Sequence, residues 1–171
     1  IDAALIIHHT NFYYYTGTSQ NGHLFVPRSG EPILMIKKDI DRAKHESSIE
    51  QVVEVKSPKL IMEVVQNAGH TNIKTIGLEL DVVPFNTYSF YKKVLACDLV
   101  DISGSAKLQR MIKSDYEINQ LRQASATIDS IFKRVPEVLQ EGMREIDLAS
   151  WFEGEMRKSG YGGCCKMRAF N

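Results

Sequence analysis

The sequence predicts an α/β fold: a three-layer α/β/α sandwich around a mixed, mostly parallel sheet of five to six strands, followed by two helices of a second, incomplete unit. Three observations lead there. Short apolar runs alternate with short amphipathic stretches from Ala3 to Ile102, and strand-helix-strand connections of this length impose parallel pairing. His23-Leu24-Phe25-Val26 and Pro32-Ile33-Leu34-Met35-Ile36 are joined by the Gly-containing turn Pro27-Arg28-Ser29-Gly30-Glu31, a hairpin that makes one strand antiparallel. At Ser114 the pattern changes to a long helical period.

The elements follow in order. Ala3-Ala4-Leu5-Ile6-Ile7 reads as a buried strand entered almost at once, so we expect residues upstream of it. His8-His9 falls at a strand end, where neighbouring side chains point to opposite faces and rarely share an ion. The run Asn11-Phe12-Tyr13-Tyr14-Tyr15 suits a core or a subunit interface, and as a second reading a pocket wall, because tyrosine buries area yet keeps a hydroxyl. After the hairpin come a short helix over residues 39–46 and the strand Val52-Val53-Glu54-Val55. Ser57-Pro58 supplies an N-cap with proline in the first helical turn, Leu60, Ile61, Val64 and Val65 form a buried stripe, and Gly69 ends that helix in the left-handed conformation. Thr75 to Leu80 is a strand, Pro84 to Ala96 a helix, and Asp98 to Ile102 the last strand.

Ser114 and Glu117 have the spacing of a capping box. From there Ile118, Leu121, Ala124, Ile128, Ile131 and Val135 recur at three and four residues on one helix face. Pro136 should break this helix, and Gly142 should close the segment. Glu145 to Met156 makes the next amphipathic helix, ended by Gly160, and Cys164 to Phe170 begins a strand that the chain does not complete. Two helices with no sheet to cover lead us to expect that the segment is part of something larger. The boundaries expected are a first domain over 1–103, a linker over 104–113 and a second unit over 114–171.

Composition narrows the function. The 171 residues carry 21 basic and 21 acidic side chains, for zero net charge, which gives no electrostatic case for nucleic acid or an anionic membrane. No apolar run is long enough to span a bilayer. Three cysteines, Cys97 and the adjacent Cys164-Cys165, have no zinc or disulfide-framework spacing, and a reducing cytoplasm is the expected setting. There is no glycine-rich phosphate loop, GxSxG or HExxH. His23, His45 and His70 stand singly and read as solvent-facing or structural.

Four patterns, in order, resemble the creatinase/prolidase/aminopeptidase P family of pita-bread metallopeptidases. They are Ile1 to Ile6 with Asn11-Phe12-Tyr13-Tyr14-Tyr15-Thr16-Gly17; Ile76-Gly77-Leu78-Glu79; Arg110-Met111-Ile112-Lys113-Ser114 with Glu117-Ile118; and Gly142 to Glu145 with Leu148-Ala149, Glu153 and Met156. Arg144 departs from the pattern, since many relatives carry Thr as a helix cap there.

The resemblance implies a ribonuclease H-like N-terminal domain with strand order 3-2-1-4-5 and strand 2 antiparallel, which mediates homodimerisation and covers the active site. It implies a catalytic domain with two divalent metals (manganese, cobalt or zinc) held by two Asp, one His and two Glu. Such a set activates water and polarises a carbonyl. All five ligands are expected beyond Asn171, so no catalytic residue and no metal or cofactor is expected in this chain, which alone should be inactive. The implied parent is an Xaa-Pro dipeptidase or aminopeptidase acting on proline-containing peptides. A creatinase-like amidinohydrolase and a non-catalytic homologue that binds peptides or histones share the architecture. The one site residue expected here is Tyr13, lining the partner subunit's substrate pocket, with Tyr14 and Tyr15 buried.

Overall fold

The computed structural model describes residues 1–163; the strand expected from Cys164 to Phe170 and the Cys164-Cys165 pair lie outside them. The described residues form two compact units, one of residues 1–109 and one beginning at Arg110.

The first unit is built on a six-stranded sheet: β1 (Ala3–Ile6), β2 (Gly22–Pro27), β3 (Ile33–Ile36), β4 (Gln51–Glu54), β5 (Thr75–Leu78) and β6 (Asp98–Asp101), in the order β4-β3-β2-β1-β5-β6. β2 runs antiparallel to β1 and β3, with Leu5 opposite Phe25 and Phe25 opposite Ile33. The other pairings are parallel. The implied 3-2-1-4-5 order is present as β3-β2-β1-β5-β6, and β4 extends it beyond β3. The helices are α1 (His9–Thr16), α2 (Ile40–Glu46), α3 (Ile61–Asn67), α4 (Phe85–Leu95) and α5 (Ser103–Met111). α5 fills most of the stretch read as a linker; its Ala106 is buried, and Asp101 accepts from the Ser103 amide at 2.9 Å at its start.

Each sheet face carries its own core, as the two-residue strand period requires. Ala3, Leu5, Phe25, Ile33, Met35, Ile76 and Leu78 meet Ile61 and Val65 of α3 and Tyr91 and Leu95 of α4. Ile6, Leu24, Leu34 and Ile36 meet Phe12 of α1 and Ala43 of α2 on the other face. Leu60, expected in the buried stripe, sits exposed in a 3-10 turn ahead of α3, because Ser57 caps the chain there and turns it one residue early.

The largest departure is α1. His9 to Thr16 is a helix, so His8 and His9 stand at a helix N-terminus and the alternation of a strand does not apply to them. Gly17 at φ +76° closes the helix, its amide donating to the Tyr13 carbonyl at 2.8 Å. Aromatic residues favour strands on local propensity, and the burial of Asn11, Phe12 and Thr16 overrides it.

The second unit contains α6 (Asp115–Phe132), α7 (Val135–Val138) and α8 (Glu145–Lys158). Both halves of the Ser114–Glu117 capping box form, and the helix breaks before Pro136 as expected. The apolar stripe of α6 is only partly covered: Ile131 is buried, whereas Leu121, Ile128 and Phe132 are exposed. The Phe132 and Phe152 rings pack 4.8 Å apart. One helix crossing another covers a single line of contact, narrower than the stripe. Arg134 Nη1 pairs with Glu155 at 2.5 Å, and its guanidinium lies 5.5 Å from the Trp151 ring centre.

Candidate functional site

The site begins with the strand order. β1 and β5 are adjacent and parallel, but α1 follows β1 onto one sheet face and α4 follows β5 onto the other. Beyond the carboxyl ends of two such strands a crevice opens, the usual place for a ligand in an α/β sheet. Here Glu79, one residue past β5, sends its carboxylate into that place and is fully buried. Oε2 accepts from the amides of Ile7 (3.3 Å) and His8 (3.0 Å), and Oε1 accepts from Asn11 Nδ2. A carboxylate facing the first amides of a helix satisfies donors that have no intrahelical partner and complements the helix dipole. Asn11 is fully buried beside it.

The far end of α1 is held as tightly. Thr16 Oγ1 donates back to the Phe12 carbonyl at 2.7 Å, and Thr18 Oγ1 donates to Glu46 Oε2 of α2 at 2.7 Å. The bonds from Thr18 and Arg42 keep the Glu46 carboxyl below its usual range. At Gly17 a β-carbon would lie 3.0 Å from the Glu46 carbonyl oxygen, so glycine is required there both by the positive φ and by the approach of α2.

Between these anchors the aromatic run divides. Phe12 is buried, Tyr13 is 57% exposed and Tyr14 37% exposed. Tyr15 is half-buried and its hydroxyl donates to Gln109 Oε1 at 3.0 Å. Tyr14, expected to be buried, is therefore a surface residue, because helical geometry turns residues 13 and 14 away from the face that holds 12 and 16. Tyr13 is the most exposed ring of the run, on a helix fixed at both ends.

Sequence reasoning singled out the Asn11–Gly17 segment and the Gly77-Leu78-Glu79 stretch separately; the structure joins them. Sequence reasoning gave the Glu79 side chain no role. The available signal was an acidic residue inside an otherwise apolar strand end, Ile76-Gly77-Leu78-Glu79-Leu80, whose burial needs several donors.

On the same sheet face a concave apolar surface of about 380 Å³ is lined by Ala4, Leu24, Val26, Ile102 and Ala106 among others, with no charged side chain to orient a ligand. Among the described residues no group of three or more His, Cys, Asp or Glu could hold a metal ion. Among the described residues no helix is long and apolar enough to cross a membrane.

Residues 1–112 match the creatinase/prolidase N-terminal domain, and the chain belongs to that family. It is 29% identical over 163 residues to the uncharacterised peptidase YqhT of Bacillus subtilis, covering 94% of this chain and 46% of that protein. It is 27% identical over 162 residues to an Xaa-Pro dipeptidase of Pyrococcus furiosus, covering 94% and 45%. An X-Pro aminopeptidase structure from Thermotoga maritima superposes with a TM-score of 0.84 at 25% identity, over 95% of this chain and 48% of that one. The Xaa-Pro dipeptidase of Bacillus anthracis shares the fold, with a TM-score of 0.84 at 23% identity over 95% and 46%. The chain thus spans about half the length of the relatives it matches.

Proposed function

We propose that this chain is the N-terminal portion of an Xaa-Pro metallopeptidase of the prolidase or aminopeptidase P kind. In this reading the first unit mediates homodimerisation and covers the active site of the partner subunit, and α1 presents Tyr13 to the bound peptide. Hydrolysis of the bond before proline belongs to the catalytic half, with its two divalent ions. This chain contributes binding surface and exclusion of water. Membership of the creatinase/prolidase N-terminal family and the named activities of the relatives support the substrate class. The observation that carries the site is the exposure of Tyr13 on a helix anchored at both ends. A flat aromatic face packs well on a proline ring, and a fixed one does so without a large ordering cost.

The test is Tyr13→Ala in the protein that carries this chain with its catalytic half. KM for an Xaa-Pro dipeptide should rise roughly three- to tenfold, with kcat held, the size of one lost aromatic contact. Mixing this variant with a metal-ligand variant that retains Tyr13 separates cis from trans action. Mixed dimers regain sites of wild-type KM only if the tyrosine serves its partner. Unchanged kinetics of Tyr13→Ala removes the site. Failure of the wild-type protein to cleave Xaa-Pro dipeptides with manganese, cobalt or zinc removes the peptidase reading, leaving an amidinohydrolase or a non-catalytic binder of peptides or histones.

A further inference from the structure

Resting on that placement of Tyr13, we propose that Glu79 is a positioning residue for substrate binding. Its buried carboxylate fixes α1, and through α1 the direction in which Tyr13 projects.

The argument starts from what a helix of eight residues can do unaided. α1 is too short to be stable alone, and its buried face is small, made of Asn11, Phe12 and Thr16. Phe12 is the only large apolar side chain among these three, and half-buried Tyr15 packs on the same core one turn further on. Apolar packing thus holds the middle and C-terminal part of the helix and leaves its N-terminal end free to swing. A carboxylate grips each end. Glu46, from α2, holds the C-terminal end through Thr18. Glu79, from the neighbouring strand, holds the N-terminal end through two backbone amides and the Asn11 side chain.

The two amides belong to Ile7 and His8, the residues that join β1 to α1, so the carboxylate fixes the entry angle of the helix. Asn11 lies within the first turn, so the third bond fixes rotation about the helix axis. Tyr13 is two residues further on, and any rotation of α1 swings its ring over the surface. Asn11 and Glu79 therefore set the orientation of the N-terminal half, from which Tyr13 projects, while Phe12 and Tyr15 attach the helix to the core.

The experiment uses the protein with its catalytic half and the variants Glu79→Gln, Glu79→Met and Tyr13→Ala. Methionine keeps the length and removes every acceptor, while glutamine keeps one oxygen for the Ile7 and His8 amides. KM for an Xaa-Pro dipeptide should rise in the order wild type, Gln, Met, by about threefold or more at Met, with kcat held. Amide hydrogen exchange over His9 to Thr16 should quicken in the same order while the strands keep wild-type protection. Adding Tyr13→Ala to Glu79→Met should raise KM no further than Tyr13→Ala alone, since both act through one ring.

The proposal is overturned if both Glu79 variants keep wild-type KM and wild-type exchange in α1. It is equally overturned if they lower kcat and loosen the whole sheet, or if their effects add to those of Tyr13→Ala. Should Glu79→Met not fold, Glu79→Gln decides: unchanged KM overturns the proposal. If Tyr13→Ala alone leaves KM unchanged, the Tyr13 reading fails; if Tyr13→Ala acts and the Glu79 variants do not, only the present inference fails.

Discussion

His23 Nε2 lies 2.6 Å from the Tyr91 hydroxyl, a bond between β2 and α4 across one of the two cores. Burial, with Lys37 nearby, pushes the His23 pKa down from 6.5 to about 4, and burial lifts Tyr91 to about 12. The pair is thus neutral at physiological pH, the cheap state for two polar groups beneath a sheet. When the protein unfolds, His23 regains its ordinary affinity for protons. Between pH 6.5 and 4 the unfolded chain therefore binds more protons than the folded one. Stability present above pH 6.5 is lost as pH falls toward 4, by at most about 3 kcal/mol from this residue. Urea denaturation of the first unit between pH 7.5 and 4.5 measures it. His23→Gln should flatten the curve in that window; an equally steep curve would assign the acid sensitivity to other groups.

Gly17→Ala tests the C-terminal anchor of α1. The new β-carbon meets the Glu46 carbonyl in a backbone conformation that alanine disfavours. We expect a loss of about 1–2 kcal/mol, with the damage centred on α1 and α2. A thermal melt gives the size and amide exchange gives the place; a neutral effect would mean that the turn relaxes without cost.

How far the sequence reveals this arrangement depends on where each interaction partner lies. Strands and most helix limits are local properties, visible as alternating or three-four periods and as caps such as Ser57 and Ser114. The hairpin between β2 and β3 is legible for the same reason. α1 is not, because its identity as a helix is decided by Phe12 in the core and by Glu79, 68 positions from Asn11. The expected burial of Tyr14 fails with it, since the helix turns Tyr14 outward beside Tyr13. Gly77 shows another non-local cause. A β-carbon there would meet the Ile102 side chain at 2.4 Å, so glycine makes room for the residue that leads into α5. The proposal for Tyr13 rests on resemblance and on its exposure. What anchors α1 is visible only where two distant segments meet.

Ser114→Ala should cost the second unit about 1 kcal/mol. The serine hydroxyl accepts from the Glu117 amide at 3.3 Å, and the Glu117 carboxylate accepts from the Ser114 amide at 2.8 Å. Alanine loses the first of these and the 2.8 Å bond from the serine hydroxyl to the Glu117 carboxylate, keeping only the bond from its own amide. Exchange of the α6 N-terminal amides should rise ahead of the rest. Glu117→Gln, which can still accept from the Ser114 amide, should cost less. Equal losses would show that charge at the helix end, and not the reciprocal bonding, supplies the stability.

Arg144→Thr should move stability the other way. α8 begins at Arg144 in the extended conformation of a cap, but no side chain caps its first amides. The guanidinium instead forms two bonds with Asp147, at 2.9 and 2.7 Å, on the exposed surface. An exposed ion pair contributes only about 0–1 kcal/mol, whereas a threonine cap is worth about 1 kcal/mol. Threonine would also free Asp147, at the third helical position, to accept from the cap's own amide as in a capping box. The net expectation is a gain of a few tenths of a kcal/mol to about 1 kcal/mol in the second unit. It should grow with salt concentration, because screening weakens the ion pair lost and leaves the new neutral bond intact. Urea denaturation at low and high salt measures both. A destabilised variant at high salt would show that Arg144 holds α8 by a packing contact of its side-chain stem rather than by charge.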